Sequence, residues 1–103
     1  MSVYVDPIQP AFKNRRWPYS RFCHMFADSL EELHAFAHGV LGLKRSWFQD
    51  HRVLPHYDLV PTKRKLAVRR GAIEVDLTYV KDCIDATKAG LSWPASPEPP
   101  NPV

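Results

Sequence analysis

The chain has 103 residues, of which 45% are hydrophobic and 24% charged, with a net charge of +3. That is enough for one domain with a single core, and the mild charge permits a polyanionic partner without demanding one. No apolar run approaches the ~18 residues of a membrane span, and the opening Met1-Ser2-Val3-Tyr4-Val5-Asp6 lacks a signal-peptide pattern, so a cytoplasmic protein is expected.

The two cysteines, Cys23 and Cys83, form no CxxC pair, which rules out zinc-ribbon chemistry. In the cytosol both are expected as free thiols.

Residues 2–5 are β-branched and aromatic and read as a first strand, ended by Asp6-Pro7. Residues 7–18 form an arm whose three prolines keep it out of a helix. The arm carries Lys13, Arg15, Arg16 and Trp17; its plainer reading is a loop that lays Trp17 on the core and leaves the arginines in water. Residues 19–27 read as a second strand. Phe22, Cys23, Met25 and Phe26 make it nearly continuously apolar, as for a strand covered on both faces.

Asp28 and Glu31 have capping-box spacing and predict a helix over 29–41, with Leu30, Leu33, Phe36, Ala37, Val40 and Leu41 facing the core and Gly42 as terminator. Glu31, His34 and His38 share another face of that helix. Their spacing suits a zinc ligand set only weakly, and a solvated Glu–His contact explains it as well. A third strand is expected over 43–49, then a polar turn over 50–55 with His51, then a short extended stretch over 56–59. Pro61 suits the first position of a second helix over 61–70, which Gly71 ends. Residues 72–75 form another strand, and a last helix over 78–89 is capped by Thr78 and stopped by Gly90. The chain from Ser92 onward holds five prolines and reads as a tail, with Trp93 the residue that would dock back.

This order predicts a single small α/β domain over 1–91. It has a mostly parallel sheet of about four strands and about three helices, followed by a proline-rich tail over 92–103. Ligands of such sheets collect beyond the carboxyl ends of the strands. That places Asp6, Asp28, Gln49 and Asp58 along one edge, where Asp6, Asp28 and Asp58 can hold Mg²⁺ through oxygen. Lys63, Arg64 and Lys65 crowd the start of the 61–70 helix, where the dipole disfavours cations unless an anion answers them. His56 is the residue type for proton transfer near neutral pH, with Asp58 beside it. Asp6, His24, Trp47, Gln49, Tyr57, Lys63 and Arg64 are the candidate ligand-binding residues, and His56 and Asp58 the candidate catalytic ones.

The blocks Tyr4-Val5-Asp6, His24-Met25-Phe26-Ala27-Asp28, the run from Glu31 to Ala37, Arg45-Ser46-Trp47-Phe48-Gln49, His56-Tyr57-Asp58-Leu59 and Gly71-Ala72 resemble a family of short bacterial and phage proteins known as domain of unknown function 4031. The resemblance covers residues 2–80. Asp6, His24, Asp28, Glu32, His34, Trp47, Gln49, His56, Tyr57, Asp58 and Lys63 or Arg64 fall on its motif positions. It implies small stand-alone proteins, some joined to HD-type phosphohydrolase domains, and so leans toward nucleotide or phosphate chemistry.

Three functions are therefore expected in order. The first is binding of a phosphorylated small molecule or nucleotide at the sheet edge. The second is a non-catalytic interaction protein that binds a host protein or nucleic acid through the basic arm, Trp17 and the tail. The third is a Mg²⁺-dependent phosphoesterase or nuclease built on Asp6, Asp28 and Asp58.

Overall fold

The extended runs pair into a sheet in the computed structural model, which describes residues 2–97. Among the described residues there are six strands, β1 (Val3–Val5), β2 (Gln9–Pro10), β3 (Arg21–Ala27), β4 (Phe48–Gln49), β5 (His56–Leu59) and β6 (Ile73–Glu74). Three helices accompany them, α1 (Leu30–Ala35), α2 (Pro61–Arg69) and α3 (Leu77–Ala89). α1 widens into a π turn at Phe36–Val40, and a 3₁₀ turn at Arg45–Trp47 leads into β4. The third expected strand is thus mostly turn, with only Phe48 and Gln49 paired.

The sheet runs β4-β5-β3-β1-β6, with β2 paired to the start of β3. It is mixed, not mostly parallel: β1–β6 is parallel, and β1–β3, β2–β3, β3–β5 and β4–β5 are antiparallel. The helical crossovers do connect strands of like direction, β3 to β4 through α1 and β5 to β6 through α2. Those strands are not neighbours. Two reversals place antiparallel partners between them. One is the turn over 50–55 that folds β5 back on β4. The other is the arm, a hairpin closed by Asn14 N–H to the Trp17 carbonyl and Ala11 N–H to the Ser20 carbonyl, which folds β3 back on β1. Pro10 is tolerated on β2 because that strand lies off the main sheet, where a missing N–H costs little.

β3 is covered on both faces over Met25–Ala27, as its apolar run predicts, whereas His24 is half-buried at a cleft. Cys23, Met25 and Ala27 join Val3, Val5, Tyr57 and Leu59 under α1 and α2. Phe26 joins Tyr4 under Tyr79, Val80 and Cys83 of α3. The two free thiols therefore lie in different cores on opposite faces of the sheet.

Helix ends differ in detail from expectation. Ser29, not Asp28, caps α1, its Oγ accepting from Glu32 N–H at 3.2 Å. Asp76, not Thr78, caps α3, with Oδ1 accepting from Tyr79 N–H at 2.8 Å. Gly90 ends α3 at φ 70° and Gly42 follows the π turn at φ 65°, left-handed backbone that glycine adopts at little cost. Trp93 packs against Phe26 and Tyr4, and its Nε1 donates to Thr87 Oγ1 at 2.9 Å. Tyr79 Oη donates to the Pro94 carbonyl, and Tyr4 Oη lies 2.6 Å from Ser96 Oγ. The first part of the expected tail is thus laid along α3. Its final residues, 98–103, lie outside the described ones. No helix among the described residues is long and apolar enough to cross a membrane.

Removing the α3 cap with Asp76→Ala should cost about 1 kcal/mol of unfolding free energy, read as a lower urea midpoint at unchanged slope.

Candidate functional site

Side chains alternate along β3 and β5, so His24 on β3 and His56 and Asp58 on β5 share the α3 face. Register sets His24 directly across from Asp58, and His56 lies one pleat further along β5 on the same face. α3 and Trp93 cover the half of this face that carries Tyr4 and Phe26. The other half opens on two clefts. One, of about 260 Å³, is bordered by His24, His56 and His51 with Val80 and Ile84 of α3. The other, of about 290 Å³, is bordered by Asp58, Gln49, Trp47, Ser46, Trp17 and Arg16.

Asp6, just past β1, is fully buried beneath His24. Its Oδ1 accepts from the His24 backbone N–H at 2.6 Å, and its Oδ2 takes His24 Nδ1 at 2.7 Å and Gln9 Nε2 at 3.3 Å. His56 Nδ1 is 2.8 Å from the Leu54 carbonyl, which can only accept, so that nitrogen carries the proton. Both imidazoles are thus held by Nδ1 and keep Nε2 free. His24, His56 and Asp58 each offer a donor atom within 4.8 Å of the others, and His56 Nε2 is 3.5 Å from Asp58 Oδ1. Burial opposes charge on His24, but the hydrogen bond and charge of Asp6 outweigh it and raise the pKa. Burial lowers the pKa of His56, and burial raises that of Asp58 against the pull of His56 and His24.

Several sequence candidates are not brought here. Asp28 follows β3 as Asp6 follows β1, but those strands are antiparallel, so the two acids sit at opposite ends of the sheet. Asp28 accepts from Ser2 N–H and Tyr4 Oη, each at 2.8 Å. The trio Asp6, Asp28 and Asp58 is therefore not assembled, and Asp6 is occupied with His24. Lys63 Nζ donates to the Leu41 carbonyl at 3.0 Å, at the end of the α1 π turn. Arg64 donates through Nε to the Asp6 carbonyl at 2.8 Å and pairs with Glu74 at 2.9 Å. Lys63 and Arg64 are answered by protein oxygens, which is why they are tolerated at that end of the dipole, while Lys65 is exposed.

Tyr57 points through the sheet to the opposite face and is fully buried. His38 Nδ1 donates to the Leu43 carbonyl at 2.9 Å, so its Nε2 accepts from Tyr57 Oη at 3.2 Å. Tyr57 Oη in turn accepts from His34 Nδ1 at 2.8 Å. This chain of hydrogen bonds uses both α1-face histidines to anchor β5. The zinc set of Glu31, His34 and His38 does not form: among the described residues, the one group of three or more such side chains with converging donors is His24, His56 and Asp58.

Trp47 and Gln49 do reach the cleft, and three residues outside the ligand-binding candidates join the region, two of them, Arg16 and Trp17, from the basic arm. Arg16 borders the Asp58 cleft, and Trp17 packs edge-on against Trp47 at 5.5 Å and Tyr19 at 5.2 Å. His51 stands 6.2 Å from His56, ring centre to ring centre. The signal for Arg16 was its place in a stretch, residues 7–27, that holds four cations and no acid.

A family model described as "Protein of unknown function (DUF4031)" matches residues 3–87. The chain belongs to the DUF4031 family. No curated protein and no solved structure matches it. The DUF4031 match runs from β1 nearly to the end of α3, so it contains Asp6, His24, His56 and Asp58 and stops short of Trp93.

Asp6→Ala leaves the His24 N–H without its acceptor beneath the sheet and should cost about 3 kcal/mol by urea unfolding. His34 tests the opposite face. Partial burial, then the charges of Arg45 and His38, lower its pKa in the fold. Below its ordinary value the unfolded chain binds the proton more readily than the folded one, so this contribution to stability falls as pH falls. The pH dependence of unfolding between about 7.5 and about 5 should therefore be shallower in His34→Gln than in the parent chain.

Proposed function

We propose that this protein binds a phosphorylated small molecule of the nucleotide class in the cleft between the arm and β5. The observation that carries this reading is that Arg16, Trp17 and Trp47 line one cleft, the two indoles 5.5 Å apart. Among the described residues Arg16 has no carboxylate in ion-pair range, so its guanidinium is available for a phosphate. The indoles offer apolar surface on which a base can stack, an interaction worth about 1–3 kcal/mol. Gln49 and Ser46 line the same cleft and can hydrogen-bond base edges or sugar hydroxyls.

The binding position differs from the one that motivated the expectation. The ligand sits on the α3 face beside β5, not at the α2 start, where Lys63 and Arg64 are occupied by Leu41, Asp6 and Glu74. A second reading, hydrolysis of a phosphoester, is favoured by one observation: Asp58 borders this cleft and His56 lies 3.5 Å from its carboxylate.

Calorimetric titration of the full chain in EDTA with a 5′-mononucleotide, its nucleoside and inorganic phosphate tests the binding. The mononucleotide should bind more tightly than either fragment, and Arg16→Ala should weaken it about tenfold or more, the worth of a charge-assisted hydrogen bond. Absence of heat up to millimolar mononucleotide, or affinity indifferent to Arg16→Ala, would overturn it. Tight binding of single-stranded oligonucleotides alone, falling steeply with salt, would move the protein to the nucleic-acid-binding class.

A further inference from the structure

We infer that His24, His56 and Asp58 hold one divalent transition-metal ion, with Asp6 as the buried carboxylate that aims His24 at it. This goes beyond nucleotide binding and rests on separate observations.

The first is convergence on a stiff frame. The three donors come from two paired strands, His24 across from Asp58 and His56 two residues before it, and lie within 4.8 Å of one another. The 3.5 Å between His56 Nε2 and Asp58 Oδ1 is close to the edge of a tetrahedron with metal–ligand bonds of ~2.1 Å, about 3.4 Å. The second is how the imidazoles are held. A metal-binding histidine needs one nitrogen tied to an oxygen so that the other presents its lone pair outward. His24 Nδ1 is tied to the Asp6 carboxylate and His56 Nδ1 to the Leu54 carbonyl, so both Nε2 atoms remain.

The third is what Asp58 lacks. Its side chain is 22% exposed, yet no described residue donates a hydrogen bond to it, and it faces two imidazoles instead of an arginine or lysine. Its oxygens are thus left to the cleft and to the two rings, and a cation placed between them would be held by all three. Two nitrogens and one oxygen favour Zn²⁺, Fe²⁺, Mn²⁺ or Co²⁺ over Mg²⁺, which prefers an all-oxygen shell. Three protein ligands leave positions open on the cleft side for water or a phosphate oxygen.

The test uses the full chain, freed of metal with EDTA and dialysed, with no nucleotide present. Co²⁺ is titrated by visible absorption and Zn²⁺ by calorimetry. One ion per chain is expected, undisturbed by excess Mg²⁺. His24→Ala, His56→Ala and Asp58→Asn should each weaken Zn²⁺ at least tenfold. Asp6→Asn should weaken it about 10- to 100-fold although it removes no ligand. His34→Gln, on the opposite face, should leave it unchanged.

Displacement by Mg²⁺, affinity unchanged in both His24→Ala and Asp58→Asn, or loss in His34→Gln would each overturn the assignment. Because a site variant can misfold, the unaltered chain gives a second readout. Mn²⁺ should broaden the ring proton resonances of His24 and His56 first; broadening centred on His34 and His38 would overturn the assignment. Metal titration without nucleotide and nucleotide titration in EDTA fail independently, so either result stands without the other.

Discussion

A buried carboxylate joins four parts of this fold. Asp6 ends β1, accepts two hydrogen bonds from His24 of β3 and one from Gln9 of the arm, and gives its own carbonyl to Arg64 of α2. Burying that acid is costly unless every lone pair is met, and here neighbouring segments meet them. The same contacts therefore set where the arm returns, how β3 sits against β1, and which nitrogen of His24 faces outward. Architecture and candidate chemistry share one group.

The sheet also separates two populations of polar side chains by the alternation of one strand. In His56-Tyr57-Asp58, the outer two face the open half of the α3 side, and the middle one drops into the core beneath α1. There Tyr57 is held between His34 and His38, with the chain of donors ending at the Leu43 carbonyl. That internal anchor fixes β5 from below, so the side chains above it need little reorganisation to act together.

What was legible in the sequence was local. Gly42 and Gly90 mark helix ends because only their backbone tolerates the left-handed turn, and Pro61 marks a start because it lacks the N–H that a first turn leaves unpaired. The nearly continuous apolar run of β3 announces burial on both sides, which holds over Met25–Ala27. Strand neighbours were not legible. They depend on whether residues 7–20 and 50–55 reverse the chain, and helix-rich spacing favours a parallel reading. That error moved Asp28 to the wrong end of the sheet. Lys63 and Arg64 show the same limit: their clash with the helix dipole is visible in sequence, whereas the Leu41 and Asp6 carbonyls that answer it come from 22 and 58 residues away. His24, His56 and Asp58 were each visible as candidates, but only the register of β3 on β5 makes them one group.

The parallel pairing of β1 with β6 carries a consequence for how the chain is made. Tyr4 leaves the ribosome 69 residues ahead of its partner Ile73, with most of the domain translated in between. The outer edge of β1 stays open through that interval, and closing so long a loop is entropically slow. Vectorial folding can therefore complete the β1–β3 and β3–β5 pairs first, while the free edge of β1 waits for a strand not yet made.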